Sequence, residues 1–205
     1  VIDATGNGNN GTSTNGANTS ATAVFGRAGS FDGTDDYVSV GDVLDMGTND
    51  FTISAWVKAN NPAIGMVITK YFSTSLNARG YYLRFNAGKV SLWIGGITTN
   101  GIVVNGLTTA TTNQWNYISA TFDRDGLGKV YLNGVLDNSG NISGESADIN
   151  TAYNLYFGRR DNAGAPYYFD GLIDDVRIYD YALTADQVRQ IYNETASIKM
   201  VKQEN

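Results

Sequence analysis

The chain contains no histidine and no cysteine. That double absence removes Ser-His and Cys-His nucleophiles, imidazole and thiolate metal sites and every disulfide, and it leaves the redox compartment unmarked. Glutamate is nearly missing as well: of 20 acidic residues only Glu145, Glu194 and Glu204 are Glu. The remaining aspartates suit hard-cation ligation and turns better than glutamate-based acid/base catalysis. No apolar run approaches the roughly 18 residues of a membrane span, so membrane insertion is not expected. There is no basic cluster, and 14 basic against 20 acidic residues give a net charge of −6, which speaks against nucleic acid or an anionic membrane as partner.

What is present favours short strands and tight turns: 24 Gly and 13 Tyr against 2 Pro, with much Asn and Thr. A length of 205 residues fits one all-β domain. Val1 is not a natural start, so the chain is expected to be a piece of a longer protein, with neighbouring domains. Residues 1–29 are Gly/Asn/Thr/Ser-rich and have almost nothing to bury; alone they read as a flexible linker that an ordering ligand could change.

From Ser30 onward the period is two. Phe51, Ile53, Ala55 and Val57 alternate with Thr52, Ser54, Trp56 and Lys58; Tyr81, Leu83 and Phe85 with Tyr82, Arg84 and Asn86; Val90, Leu92 and Ile94 with Lys89, Ser91 and Trp93; Ile118, Ala120 and Phe122 with Tyr117, Ser119 and Thr121. One apolar and one wet face per strand is the pattern of antiparallel sheets packed face to face. Strands are expected near 37–40, 51–58, 64–71, 80–86, 89–95, 102–107, 115–122, 128–133, 135–137, 154–158 and 171–179. Asn133-Gly134 between apolar-rich runs predicts a type I′ hairpin, and Asn86 to Lys89 a looser one. One short C-terminal helix is expected: Thr184 and Gln187 form a capping box, with Leu183 and Val188 spaced as a hydrophobic staple. It is expected to end near Asn193, giving a domain over 1–193 and a tail over 194–205.

Four ordered segments carry a resemblance: Asp3 to Thr12 (DATGNGNNGT), Phe31 to Val38 (FDGTDDYV), Phe51 to Lys58 (FTISAWVK), and Gly171 to Tyr179 (GLIDDVRIY) closed by Ala182-Leu183-Thr184. Together they resemble the laminin-G-like branch of the concanavalin A-like lectin/glucanase superfamily, over roughly residues 3 to 192. The resemblance implies a two-sheet antiparallel jelly-roll sandwich. It also implies a non-catalytic module attached to secreted or cell-surface enzymes and adhesins, often with a structural calcium, and the module is expected to be monomeric. The family's glycoside hydrolases carry two Glu and an Asp at alternating positions of one strand, and nothing here matches. The three Glu are scattered, and Asp174 and Asp175, being adjacent, are expected on opposite faces.

Calcium takes six to eight oxygen ligands, and the first loop offers Asp3, Asn7, Asn9, Asn10 and glycine carbonyls. A family-type site would join Asp3 to Asp174 in the last strand, with Asn10, Asp32 or the Gly33 carbonyl as further ligands. The competing reading is that Asp3 and Asn10 only close Asx-turns while Asp174 pairs with Arg177 or a backbone amide. At a dissociation constant of ~0.1–1 mM, millimolar calcium would stabilise the fold by about 0.4–1.4 kcal/mol.

The wet faces carry Trp56, Tyr82 with Arg84, Trp93 with Lys89, Tyr117, Tyr131, and Tyr156 with Arg160. Sugars offer apolar C–H faces and a hydroxyl rim, which flat aromatics beside planar or charged hydrogen-bond groups can hold. The loops at 71–80 and 159–168 could wall a cleft. The candidate ligand-binding residues are therefore Tyr71, Asn77, Arg79, Tyr82, Arg84, Trp93, Arg160 and Tyr167. Trp56 and Trp115 read as packing residues. The expected function is a calcium-stabilised carbohydrate-binding module that tethers an attached enzyme or cell surface to a polysaccharide or glycan. The rivals are an adhesive domain binding protein or acting as a spacer and, ranked lower, a glycan-cleaving enzyme of the same fold.

Overall fold

The structure, a computed structural model, describes residues 1–20, 22–73, 78–96, 101–160 and 167–201. In chain order the strands are β1 (Thr12–Thr14), β2 (Asn18–Ser20), β3 (Ala28–Asp32), β4 (Tyr37–Gly41), β5 (Phe51–Ala59), β6 (Ile64–Ser73), β7 (Ala78–Asn86) and β8 (Lys89–Gly95). They continue as β9 (Ile102–Thr109), β10 (Asn116–Phe122), β11 (Leu127–Leu132), β12 (Val135–Asn141), β13 (Leu155–Phe157), β14 (Arg159–Arg160), β15 (Tyr167–Tyr168) and β16 (Asp170–Tyr179). One helix follows, α1 (Ala185–Val201). The first sheet has the order β1-β4-β13-β6-β7-β8-β9 and the second β12-β11-β10-β5-β16-β3-β2, while β14 and β15 form a separate two-stranded ribbon. All pairings are antiparallel, giving the sandwich that the alternation of apolar and polar residues predicts.

The core lies between the two large sheets and uses the apolar side of each alternating strand. Phe51, Ile53, Ala55 and Val57 of β5 meet Leu83 and Phe85 of β7 and Val90, Leu92 and Ile94 of β8, all fully buried. Phe51 stacks on Phe122 with ring centroids 4.1 Å apart and tilts against Tyr81 at 4.9 Å. Burying side chains of this size contributes about 1.5–3 kcal/mol each. The β11–β12 hairpin turns through Asn133 (φ 52°) and Gly134 (φ 76°), the two positive φ angles of a type I′ turn.

Within the first 29 residues, Thr12–Thr14 and Asn18–Ser20 join the sheets through backbone pairing without needing large side chains. β1 pairs with β4 at the edge of the first sheet, and β2 pairs with β3 at the edge of the second. The linker-like reading of this stretch is thus corrected: small polar side chains do not prevent main-chain ladders from forming.

The outer face of the second sheet is not wet. Helix α1 covers it, packing Leu183, Val188, Ile191, Tyr192 and Ala196 against Trp56, Tyr117 and Tyr131. The capping box forms as expected: Thr184 N donates to Gln187 Oε1 at 2.8 Å, and Gln187 N to Thr184 Oγ1 at 3.3 Å. The helix continues to Val201, past the predicted end near Asn193, and Thr195 is buried within it. The division between a domain ending at 193 and a tail starting at 194 therefore falls inside a packed helix.

Candidate functional site

The outer face of the first sheet carries a row of side chains set by strand register. Tyr156 lies opposite Thr69, Thr69 opposite Tyr82, Tyr82 opposite Trp93, and Trp93 opposite Val103. Directly opposed residues share a face, so the row runs across β13, β6, β7, β8 and β9. Tyr82 and Trp93 stack at 5.6 Å with an interplanar angle of 16°. Tyr71 stands edge-on to both, at 5.8 Å from Tyr82 and 4.6 Å from Trp93.

Arginines border these rings. Arg84 lies 5.0 Å from the Tyr82 ring centroid. The β14–β15 ribbon sets Arg160 opposite Tyr167, and the Arg160 guanidinium lies 5.0 Å from the Tyr71 ring and 5.2 Å from the Tyr167 ring. Burial pushes the Tyr82 phenol up, while Arg84 and Arg160 pull it back. Both guanidinium groups therefore act on one phenol.

Six of the predicted ligand-binding residues meet here: Tyr71, Tyr82, Arg84, Trp93, Arg160 and Tyr167. Arg79 does not join them. It shares the inner parity of Tyr81 and Leu83, and its Nη1 donates to the Asn150 carbonyl at 3.1 Å. Asn77 lies outside the described residues. The expected open platform is also corrected: Tyr82 and Trp93 are only 4% and 3% exposed. The Trp93 indole sits against Gly95 and Gly101, where a Cβ would come within 2.5 Å and 2.3 Å of it. Tyr82 and Trp93 form a floor, and the reachable groups are Tyr71, Arg84, Arg160 and Tyr167, the last 39% exposed.

A second cluster was not predicted. Arg159 lies 4.5 Å from the Tyr37 ring, 5.3 Å from Tyr156 and 5.9 Å from Tyr168, and Tyr37 meets Tyr156 edge-on at 5.6 Å. The signal in the sequence was the matched doublets Arg159-Arg160 and Tyr167-Tyr168, which pair across the ribbon.

The carboxylates predicted to hold calcium divide into two groups. Asp3 closes its own loop: Oδ1 accepts from Thr5 N and Oγ1, and Oδ2 from Asn9 N, while Asn10 Oδ1 accepts from Asp3 N. These bonds hold the Asp3 carboxyl below its usual range. Asp174 is buried, its Oδ2 accepting from Val24 N at 2.8 Å and Phe25 N at 2.7 Å, and its Oδ1 from Asp175 N. Both acids border one cleft, together with Arg27 and Arg177. Amide donors thus already occupy oxygens of both carboxylates, and Arg27 and Arg177 line the same cleft.

Asp32 lies elsewhere. Asp32, Asp35 and Asp36 place one carboxylate oxygen each within 4.8 Å of one another, around a turn in which Gly33 has φ +76°. Among the described residues no cation pairs with them. Burial and the neighbouring Asp32 and Asp35 charges raise the Asp36 carboxyl above its ordinary value. Asp32 Oδ1 accepts from Thr34 N and Asp35 N and Asp36 Oδ2 from Asp32 N, and the oxygens that remain are of the kind a hard divalent cation takes.

The acids that alternation places on opposite faces are separated by a β-bulge. Asp175 takes a left-handed φ of 45° between the Asp174 and Arg177 pairings, and its carboxylate meets Arg177 Nε at 3.0 Å. Glu145 is buried, with Oε2 accepting from Gly96 N, and Glu194 is on exposed helix surface, so these two Glu do not face a shared cleft.

The family model for laminin-G-like domains of the concanavalin A-like lectin/glucanases superfamily matches residues 32–189. The chain belongs to that family. Among solved structures, domain 4 of AbnA, an extracellular arabinanase from Geobacillus stearothermophilus solved with arabinotriose, is 26% identical. It superposes with a TM-score of 0.68 over 93% of this chain and 91% of that one. The binding domain of paraclostridial mosquitocidal protein 1 has the same fold, with a TM-score of 0.76 at 17% identity over 94% of this chain and 49% of that one. Adhesion G-protein coupled receptor V1 of Danio rerio is 28% identical over 153 residues, which are 71% of this chain and 2% of the receptor. The present domain thus spans about half of the toxin binding domain and a small part of the receptor.

Proposed function

We propose that this laminin-G-like domain is a non-catalytic carbohydrate-binding module that tethers an attached enzyme or an extracellular surface to a polysaccharide. The observation that carries this reading is the group of Tyr71, Arg160 and Tyr167 over the Tyr82–Trp93 floor. A ring edge-on to a stacked pair offers an apolar wall for sugar C–H groups, and the guanidinium N–H groups can meet hydroxyls at its rim. The 26% identity to an arabinanase domain solved with arabinotriose supports the same class of ligand.

Binding is tested on a glycan array, followed by calorimetry on the hits. Tyr71→Ala and Arg160→Ala are expected to weaken binding by about tenfold or more, one apolar wall or charge-assisted bond each, with unchanged circular dichroism. Silence across the array, or hits unaffected by both changes, would overturn the proposal. Similarity to an adhesion receptor favours protein adhesion as a second reading, and array silence together with capture of a protein partner would favour it.

Calcium forms part of the same proposal. We place it at Asp32, Asp35 and Asp36 ahead of Asp3, Asn10 and Asp174, because the first three carboxylates lie within 4.8 Å of one another and pair with no cation among the described residues. When bound there, the ion would neutralise like charges that otherwise repel at close range.

A further inference from the structure

We propose that the glycan taken by this face is anionic, a chain bearing carboxylate or sulfate groups that pair with Arg84 and Arg160. The inference rests on the carbohydrate-binding reading and narrows it to one ligand chemistry.

Most described arginines have protein oxygen partners. Arg124 donates to the carbonyls of Gly47, Glu145 and Ala147, and Arg79 to that of Asn150. Arg177 meets Asp175, Arg189 meets Asp186, and Arg27 meets Thr19. Arg84 and Arg160 differ. Their contacts are tyrosine rings, and the Nε of each is buried without a hydrogen-bond partner. Neither forms an ion pair with any described carboxylate.

The surroundings make this selective. In a chain of net charge −6, the outward positions of the first sheet hold Arg84 and Lys89 beside Thr69, Tyr82, Ser91, Trp93, Val103, Asn105 and Leu107, with no acid among them. Cation–π contact with tyrosine orients the guanidinium without neutralising it. The planar donor fork stays available, and a carboxylate or sulfate satisfies it through paired charge-assisted bonds about twice as strong as those to a neutral hydroxyl. A neutral sugar would leave two partly desolvated charges facing only hydroxyl oxygens. Arg84 lies over the Tyr82 ring and Arg160 over that of Tyr71, which stands edge-on to Tyr82, so two acidic groups of one chain could be met together.

The test is calorimetry of this domain against two matched pairs: polygalacturonate with its fully methyl-esterified form, and dextran sulfate with dextran. The expected result is that the charged member of at least one pair binds at least about tenfold tighter, with affinity falling as salt rises. Which pair responds distinguishes carboxylate from sulfate. Arg84→Gln and Arg160→Gln are each expected to remove most of that preference and Arg84→Lys to keep part of it, while Lys129→Gln on the second sheet leaves it intact. Thermal melts confirm that each variant is folded. Equal binding of charged and neutral members, no binding of either charged polymer, or an equal loss with Lys129→Gln would overturn the proposal. Array hits that depend on Tyr71 but show no preference for charge would leave the carbohydrate-binding reading standing while this one fell.

Discussion

The Trp56 indole Nε1 donates to Thr195 Oγ1 at 3.0 Å, joining the second sheet to the C-terminal helix across 139 residues of chain. Thr195 Oγ1 donates in turn to the helix, facing the Ile191 and Tyr192 carbonyls at 2.9 Å each. The bond is buried, so losing its acceptor costs more than a surface hydrogen bond would. Thr195→Val keeps the shape and removes the oxygen, with an expected loss of about 1–2 kcal/mol in urea unfolding. Amide hydrogen exchange over 195–201 should quicken together with it. Unchanged stability and exchange would show that the last helical turns are held by apolar contact alone.

Lys70 is almost wholly buried, at 1% exposure, and its Nζ reaches Asp42 at 2.6 Å, Asp45 at 3.2 Å and the Tyr153 carbonyl at 2.9 Å. The two aspartates remain 47% and 37% exposed, so they keep much of their hydration when the cation is removed. Lys70→Met is therefore expected to cost about 1–3 kcal/mol, less than breaking a fully buried pair. Chemical denaturation measures it, and a neutral or stabilising effect would mean that desolvation of Lys70 outweighs its three contacts.

Asp36 gives a pH dependence of unusual sign for an aspartate. Its carboxyl is raised in the fold, so between the unfolded and folded values the folded chain holds more of the proton. The strain is absent below the unfolded value and grows as pH rises through the folded one. In chelator, Asp36→Asn should gain melting temperature relative to the parent between about pH 3.5 and pH 7. Adding millimolar calcium at pH 7 should raise the melting point of the parent and not of the variant. A pH-independent difference would refute the raised carboxyl, and a calcium response equal in both proteins would refute the metal assignment.

Gly80 lies opposite Tyr71 and one residue before Tyr81, with φ +115°. A Cβ there would stand 2.0 Å from the Lys70 carbonyl oxygen. Gly80→Ala should lower stability by about 2 kcal/mol or more, since backbone must move as well as adopt a strained φ. Because β6 and β7 carry Tyr71 and Tyr82, glycan affinity should fall with it. A melt within error of the parent would show that the strands slide to accommodate the methyl group.

Alternation located β4 to β13 and β16 to within a few residues, because each inward side chain meets a dry core and each neighbour does not. It was silent on which outer face stays open. Trp56, Tyr117 and Tyr82 share the same pattern, yet α1 covers the first two, and that decision is made by chain connectivity. The capping pair Thr184 and Gln187 marked the start of α1, whereas its end depends on Thr195 finding Trp56, a contact that no local pattern encodes. The small strands β1 to β3 escaped notice because backbone pairing holds them. For a related reason composition could not reveal that Asp3 and Asp174 accept hydrogen bonds from main-chain N–H groups. Arg160 with Tyr71 and Tyr167 was legible as residue types on two neighbouring loops, while the joint influence of Arg84 and Arg160 on Tyr82 required coordinates.

The β14–β15 ribbon stands outside both large sheets and pairs only with itself, yet it supplies Arg160 and Tyr167. Its backbone shares no ladder with either seven-stranded sheet, and it leans on the first one through side chains, Arg159 on Tyr37 and Tyr156 and Arg160 on Tyr71. What the domain holds is therefore divided between the ribbon and the strands β6 and β7, so exchanging the ribbon between relatives would alter part of the preference and leave the share set by Tyr71 and Arg84.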